Sequence, residues 1–302
     1  MNTLREVFDP NFLLRNSVYI SVVFGLTCPL VGVYLVLRRL VFMGVALPQI
    51  SSCGIAFAFA LQGWGLLPHA HETPGEHTLA FLGSTFFTLA AILLFSLLAR
   101  RGCGSVEARL GTAYALAWAW SVLLLVKNPI GEHGLLDLQK GEIIAISNFE
   151  LAMTAGAFSL VAAALFVFRK EFLLVSFDPD MAISLKKNVL GWDAALFLLI
   201  GLTISISVLS AGPLVTLGFL LFPPLTAHLF ARTMRQFALL ASALGGVTAL
   251  AGFCLAYRWD LPVGATDVAL LGAIYALAAL ARNTLARGHI SIFGHANQAR
   301  RG

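Results

Sequence analysis

The chain has 302 residues, 59% of them apolar and only 12% charged, against roughly 45–50% apolar and about 25% charged in soluble domains. With a mean hydropathy of +0.86 and a net charge of +5, there are too few charges to cover a soluble fold, and disorder is excluded because it needs low hydropathy and high charge. The 27 Gly keep no fixed period and the four Cys form no CxxC pair, so collagen-like and disulfide-scaffold classes fall away and a polytopic, all-α membrane protein remains.

Residues 1–17 mix Glu6 and Asp9 with Arg5 and Arg15. They lack the basic start and small-residue cleavage site of a signal peptide, so the first apolar run is expected to be retained. A crossing helix needs about 20 mostly apolar residues. Nine runs qualify: 18–37, 45–67, 79–99, 110–126, 149–168, 192–209, 212–231, 236–257 and 261–281. The fourth is short, and only Ser210 and Ala211 separate the sixth from the seventh, so eight and nine crossings both stay open. Long runs without period-two alternation speak against a barrel. The whole chain, 1–302, reads as a single transmembrane domain, embedded over about 18–281 and followed by a loosely ordered tail over 282–302.

If the first run crosses from outside to inside, fifteen of the 20 Lys and Arg fall on the inner side: Arg38, Arg39, Arg100, Arg101, Arg109, Arg169, Lys170, Lys186, Lys187, Arg232, Arg235, Arg282, Arg287, Arg300 and Arg301. Arg5, Arg15, Lys127, Lys140 and Arg258 fall outside. The asymmetry predicts an external N-terminus and a cytoplasmic C-terminus. Orientation therefore accounts for the basic pI of about 9.2, and no nucleic-acid partner is expected.

Polar chemistry is confined to a few places. The external loop carries His69, His71, Glu72, Glu76 and His77 within nine residues. Imidazole and carboxylate ligate divalent transition metals, so this is either a weak, flexible collecting site or a plain hydrophilic loop. The second run opens with Pro48, which frees a backbone carbonyl and kinks the helix. Gln49, Ser52 and Cys53 stand at i, i+3 and i+4 on one face. That face either lines a pathway, with Cys53 a soft ligand, or packs against another helix; the other cysteines read as small hydrophobes.

Residues 170–188 form the longest cytoplasmic connection. Asp178 is an N-cap with Pro179 at the first helical position. Asp180 suits the helix start, and Lys186 and Lys187 suit its end. The pattern predicts a short amphipathic helix along the inner surface, lying on lipid or docked into a soluble partner. His228 and Asp267 are the ionisable groups within the runs that count as pathway candidates. Both are expected near a membrane interface, solvated. A proton-coupled carrier would need a chain of buried acids, and none is written here. GxxxxGK[ST], GxSxG and HExxH are all absent, so neither ATP hydrolysis nor an intramembrane enzyme reaction is expected of this chain.

With these residues in view the sequence resembles the permease subunits of bacterial zinc/manganese/iron ABC importers. Gly32 to Leu47 (GVYLVLRRLVFMGVAL) is similar to the family's GxxxVLRRxxxxGxAL signature, and Glu107 to Tyr114 (EARLGTAY) to the start of its fourth span. Phe177, Asp178, Pro179, Asp180, Met181 and Ala182 resemble its FDPExA segment. LLFPPLTAHLFA, within Leu217 to Ala231, resembles its LLxxPAAxA helix. The match spans about Val18 to Ala281. It implies the metal-type ABC importer permease fold in the bacterial inner membrane and a divalent metal ion as cargo. It also implies no permanently bound cofactor, with ATP handled by a separate ATPase that docks on Phe177–Lys187. An extracytoplasmic metal-binding protein and a second or sister permease would complete the assembly. Two departures stand out: Gln49 replaces a customary His, and Cys53 a customary Pro. A permease for another small solute is the first alternative, and an intramembrane enzyme a more distant one.

Overall fold

A computed structural model of the chain describes residues 14–63, 74–100, 105–126 and 148–298. They form ten helices and, among the described residues, no strand: α1 (Arg15–Leu37), α2 (Val41–Gly63), α3 (Pro74–Arg100), α4 (Val106–Val126), α5 (Asn148–Val167), α6 (Arg169–Phe177), α7 (Pro179–Ser184), α8 (Val189–Phe230), α9 (Met234–Trp259) and α10 (Val263–Gln298). Seven are long and apolar enough to cross a membrane, and α5 with α6, bent by 67°, makes an eighth if it is one span. The protein is a multi-pass membrane protein.

Forty-two residues of helix would stretch about 63 Å, twice the hydrocarbon thickness, so α8 cannot be one straight crossing. It breaks at Gly212, where φ is 77° and ψ 166°, a conformation essentially reserved for glycine. Contacts with α1 show what the break does. In the first leg, Asp193 pairs with Arg38 and Ser207 with Cys28, so residues 189–211 run antiparallel to α1. In the second leg, Phe219 meets Phe24, while the Gly32 backbone lies against the Leu220 carbonyl and Pro224. Ala227 clusters with Val33, so residues 213–230 run parallel to α1. The chain reverses, and the legs are the sixth and seventh runs of the sequence, divided at Gly212, one residue past the Ser210–Ala211 gap that their spacing suggested.

The same reasoning orders the rest. A Cβ on Gly245 would strike the Gly25 carbonyl, while Phe253 clusters with Val18 and Phe237 with Val33; α9 is antiparallel to α1. The close α1–α9 approach uses small residues, as membrane helix pairs do. α4 follows α2, since Gln49 faces Tyr114 and Trp118 while Ala56 and Ala60 cluster with Leu124 and Leu125. Arg38, Arg39, Arg109, Arg169, Lys170, Lys186, Lys187, Arg232 and Arg235 consequently share one end of the bundle. Arg15 and Arg258 mark the other.

Two expectations need correction. Residues 170–188 are not one helix: α6 and α7 meet at Asp178, whose Oδ1 accepts from the Met181 amide at 2.9 Å, so the expected cap forms but a second helix precedes it. The tail after residue 282 is not loose chain either, because α10 continues as helix to Gln298. Its Ala- and Leu-rich beginning simply propagates through residues with no Pro to stop it.

Candidate functional site

A cavity of about 170 Å³ lies between α2, α4 and the second leg of α8, lined by Val45, Pro48, Gln49, Tyr114, Trp118, Pro213, Leu214 and Leu217. Three backbone features build it. Pro48 interrupts the α2 hydrogen-bond ladder beside Gln49. Gly212 turns the chain so that buried Pro213 and exposed Leu214 border the cavity, which opens to the surface beside Leu214, Tyr114 and Trp118. The regular turn of α4 sets Tyr114 and Trp118 four residues apart on one face. Gln49 is only 4% exposed and its Nε2 has no hydrogen-bond partner. A buried, unpaired amide costs stability unless something accepts its hydrogen bond. It is the one side-chain amide in an otherwise hydrophobic and aromatic lining.

Of the three residues grouped by spacing on α2, Gln49 alone lines this cavity. Ser52 is fully buried with its Oγ unpaired, and Cys53 packs in the main apolar cluster. The neighbouring Ser51 has a polar role that the sequence did not reveal. Its hydroxyl lies 2.6 Å from that of Ser84, Ser84 donates to the Ser205 carbonyl at 3.4 Å, and Ser205 donates to Thr88 at 3.3 Å. These hydroxyls bind α2, α3 and the first leg of α8 together; only the i, i+4 spacing of Ser84 and Thr88 hinted at them.

Asp267 contradicts the expectation of a solvated carboxyl. It is 1% exposed, its Oδ1 is unpaired, and it presses against Gly252 of α9. The missing side chain at Gly252 gives the carboxyl its space and lets α9 close over it. His228 is exposed, with its ring 5.6 Å from that of Phe237 at the basic end. Neither lines the cavity.

At the basic end, α7 buries Ala182 and leaves Met181 and Ile183, with Leu185 just after it, more than half exposed, next to an exposed Phe177. Asp178, Pro179, Asp180, Lys186 and Lys187 are exposed around them. Lys186 has a φ of 56° and ends the segment. His69, His71 and Glu72 lie outside the described residues, and Glu76 and His77 are described only as backbone in the first turn of α3. Among the described residues no group of three or more His, Cys, Asp or Glu could hold a metal ion.

The family model for the ABC 3 transport family matches residues 11–282. The chain belongs to the ABC 3 transport family. ABC 3 relatives include the manganese import system permease protein ScaB of Streptococcus gordonii, 24% identical over 88% of this chain and 89% of that one. Another is the manganese transport system membrane protein MntD of Bacillus subtilis, 28% identical over 86% and 89%. The fold matches a chain of PsaBC from Streptococcus pneumoniae in complex with Fab, with a TM-score of 0.77, 20% identity and coverage of 92% and 94%. This ABC 3 member is thus a transport permease subunit.

Proposed function

We propose that the protein is the membrane permease of an ATP-driven importer of divalent metal ions, manganese, zinc or iron, in a bacterial inner membrane. The observation that carries this reading is the match, over nearly nine-tenths of both chains, to manganese permeases. The basic end faces the cytosol, as the positive-inside rule requires. The exposed apolar residues of α7 with Phe177 form the docking surface for an ATPase. An external binding protein delivers the ion, the residue 69–77 loop collects it, and a second permease chain completes the path. Gln49 contributes its side-chain carbonyl oxygen to the ion's shell in the cavity, and its Nε2 donates to water that the ion carries.

Reconstitution with the ATPase and binding protein tests this. ATP-dependent accumulation of radiolabelled manganese, zinc or iron in proteoliposomes is expected, and its absence for all three overturns the reading. One observation favours a second reading, a permease for another small solute: the cavity holds no carboxylate, imidazole or thiolate, the usual ligands of such ions. Uptake of an organic solute with no metal uptake would select it.

A further inference from the structure

Helices α6 and α7 have little to hold them. α6 buries only Phe172 and Val175, and α7 only Ala182. Phe172 is fixed by aromatic edges, 6.1 Å from Tyr34 of α1 and 5.7 Å from Trp192 of α8. The polar tie is Arg38. Its Nε donates to Ser176 Oγ of α6 at 2.9 Å, and its Nη2 lies 2.7 Å from Asp193 Oδ1 at the root of α8. Its guanidinium carbon sits 5.4 Å above the Phe197 ring. The Ser176 hydroxyl passes the link on by donating to the Phe172 carbonyl, 2.5 Å away. Arg38 is 11% exposed and Asp193 35%, so water screens the contact with Ser176 less than on an open surface and reaches the ion pair from the Asp193 side.

Arg38 also occupies a particular place in the chain. It is the residue after α1, and Arg39 beside it has a left-handed φ of 56°. α2, which carries Gln49, starts two residues later. One planar group therefore sits on the α1–α2 corner and reaches α6 on one side and α8 on the other. A guanidinium can do this because its donors diverge in a rigid plane whose face also stacks on a ring; an ammonium cannot.

We infer that Arg38 is the positioning residue that makes the α6–α7 corner, the α1–α2 corner and the root of α8 move as one body, so that a pull on α7 reaches the cavity. This rests on the docking role proposed for α7. In Arg38→Gln and Ser176→Ala, hydrogen exchange on the permease alone in nanodiscs is expected to speed up over residues 169–185. A pin that only held α1 in place would instead raise exchange over residues 15–37, and that pattern overturns the inference. In the reconstituted complex, both variants are expected to hydrolyse ATP while cargo moved per ATP falls about tenfold. Ser176→Ala leaves the ion pair intact, which guards against a folding defect in Arg38→Gln. Unchanged cargo per ATP in a transporting complex overturns the inference. A wild-type complex that moves no metal counts against the function proposed above, while the exchange pattern still decides the tie.

Discussion

At the scale of single residues, Gln49 and Asp267 pose the same problem, a buried polar atom without a partner, and differ in what surrounds it. Gln49 faces open volume; Asp267 faces the bare Cα of a glycine. Gln49→Leu keeps side-chain size and removes the amide. It should leave the protein folded and monodisperse by size-exclusion chromatography while lowering metal uptake about tenfold, the worth of one lost polar contact. Gly252→Ala should drive a methyl group into the Asp267 carboxyl and destabilise the fold by about 1–3 kcal/mol. Asp267→Ala in the same chain should restore part of the loss in thermal unfolding, the non-additivity expected of touching residues. The unpaired state of both groups was not legible in the sequence. Depth along a helix can be counted from its ends, but closure over Asp267 depends on which residue of α9 lies opposite.

At the scale of elements, the membrane runs were legible because each spanning helix needs an unbroken apolar stretch, and that is a local property. The cap at Asp178 was legible for the same reason: cap, Pro and acid are adjacent in the chain. The cavity was not. Its walls come from residues 45–49, 114–118 and 213–217, brought together by the α8 reversal, and no local pattern links them. Separate formation of α6 was hidden too, since Arg169–Phe177 is too short to display a clear period. Gly212→Ala tests the reversal. A Cβ at that φ costs about 1–3 kcal/mol, so the unfolding midpoint should fall, and uptake should fall further than stability alone accounts for because Pro213, Leu214 and Leu217 shift. Equal loss of folded protein and transport would show that the turn has no special bearing on the cavity.

At the scale of the whole molecule, the sequence's count of basic residues on alternate connections reappears as a geometric fact, with nine of them gathered at one end of the bundle. Membrane-impermeant thiol labelling of intact cells distinguishes the ends. A cysteine at position 258 should react and one at position 235 should not, in a background lacking the four native cysteines; the reverse pattern would invert the topology. The reversal at Gly212 has a mechanical corollary. Asp193 and the turn at Gly212, one residue before the wall at Pro213, are joined by continuous helix, without slack chain between them. A displacement at the base of that leg cannot be absorbed on the way, so the cavity wall behaves like the tip of tongs whose handles stand in the basic layer.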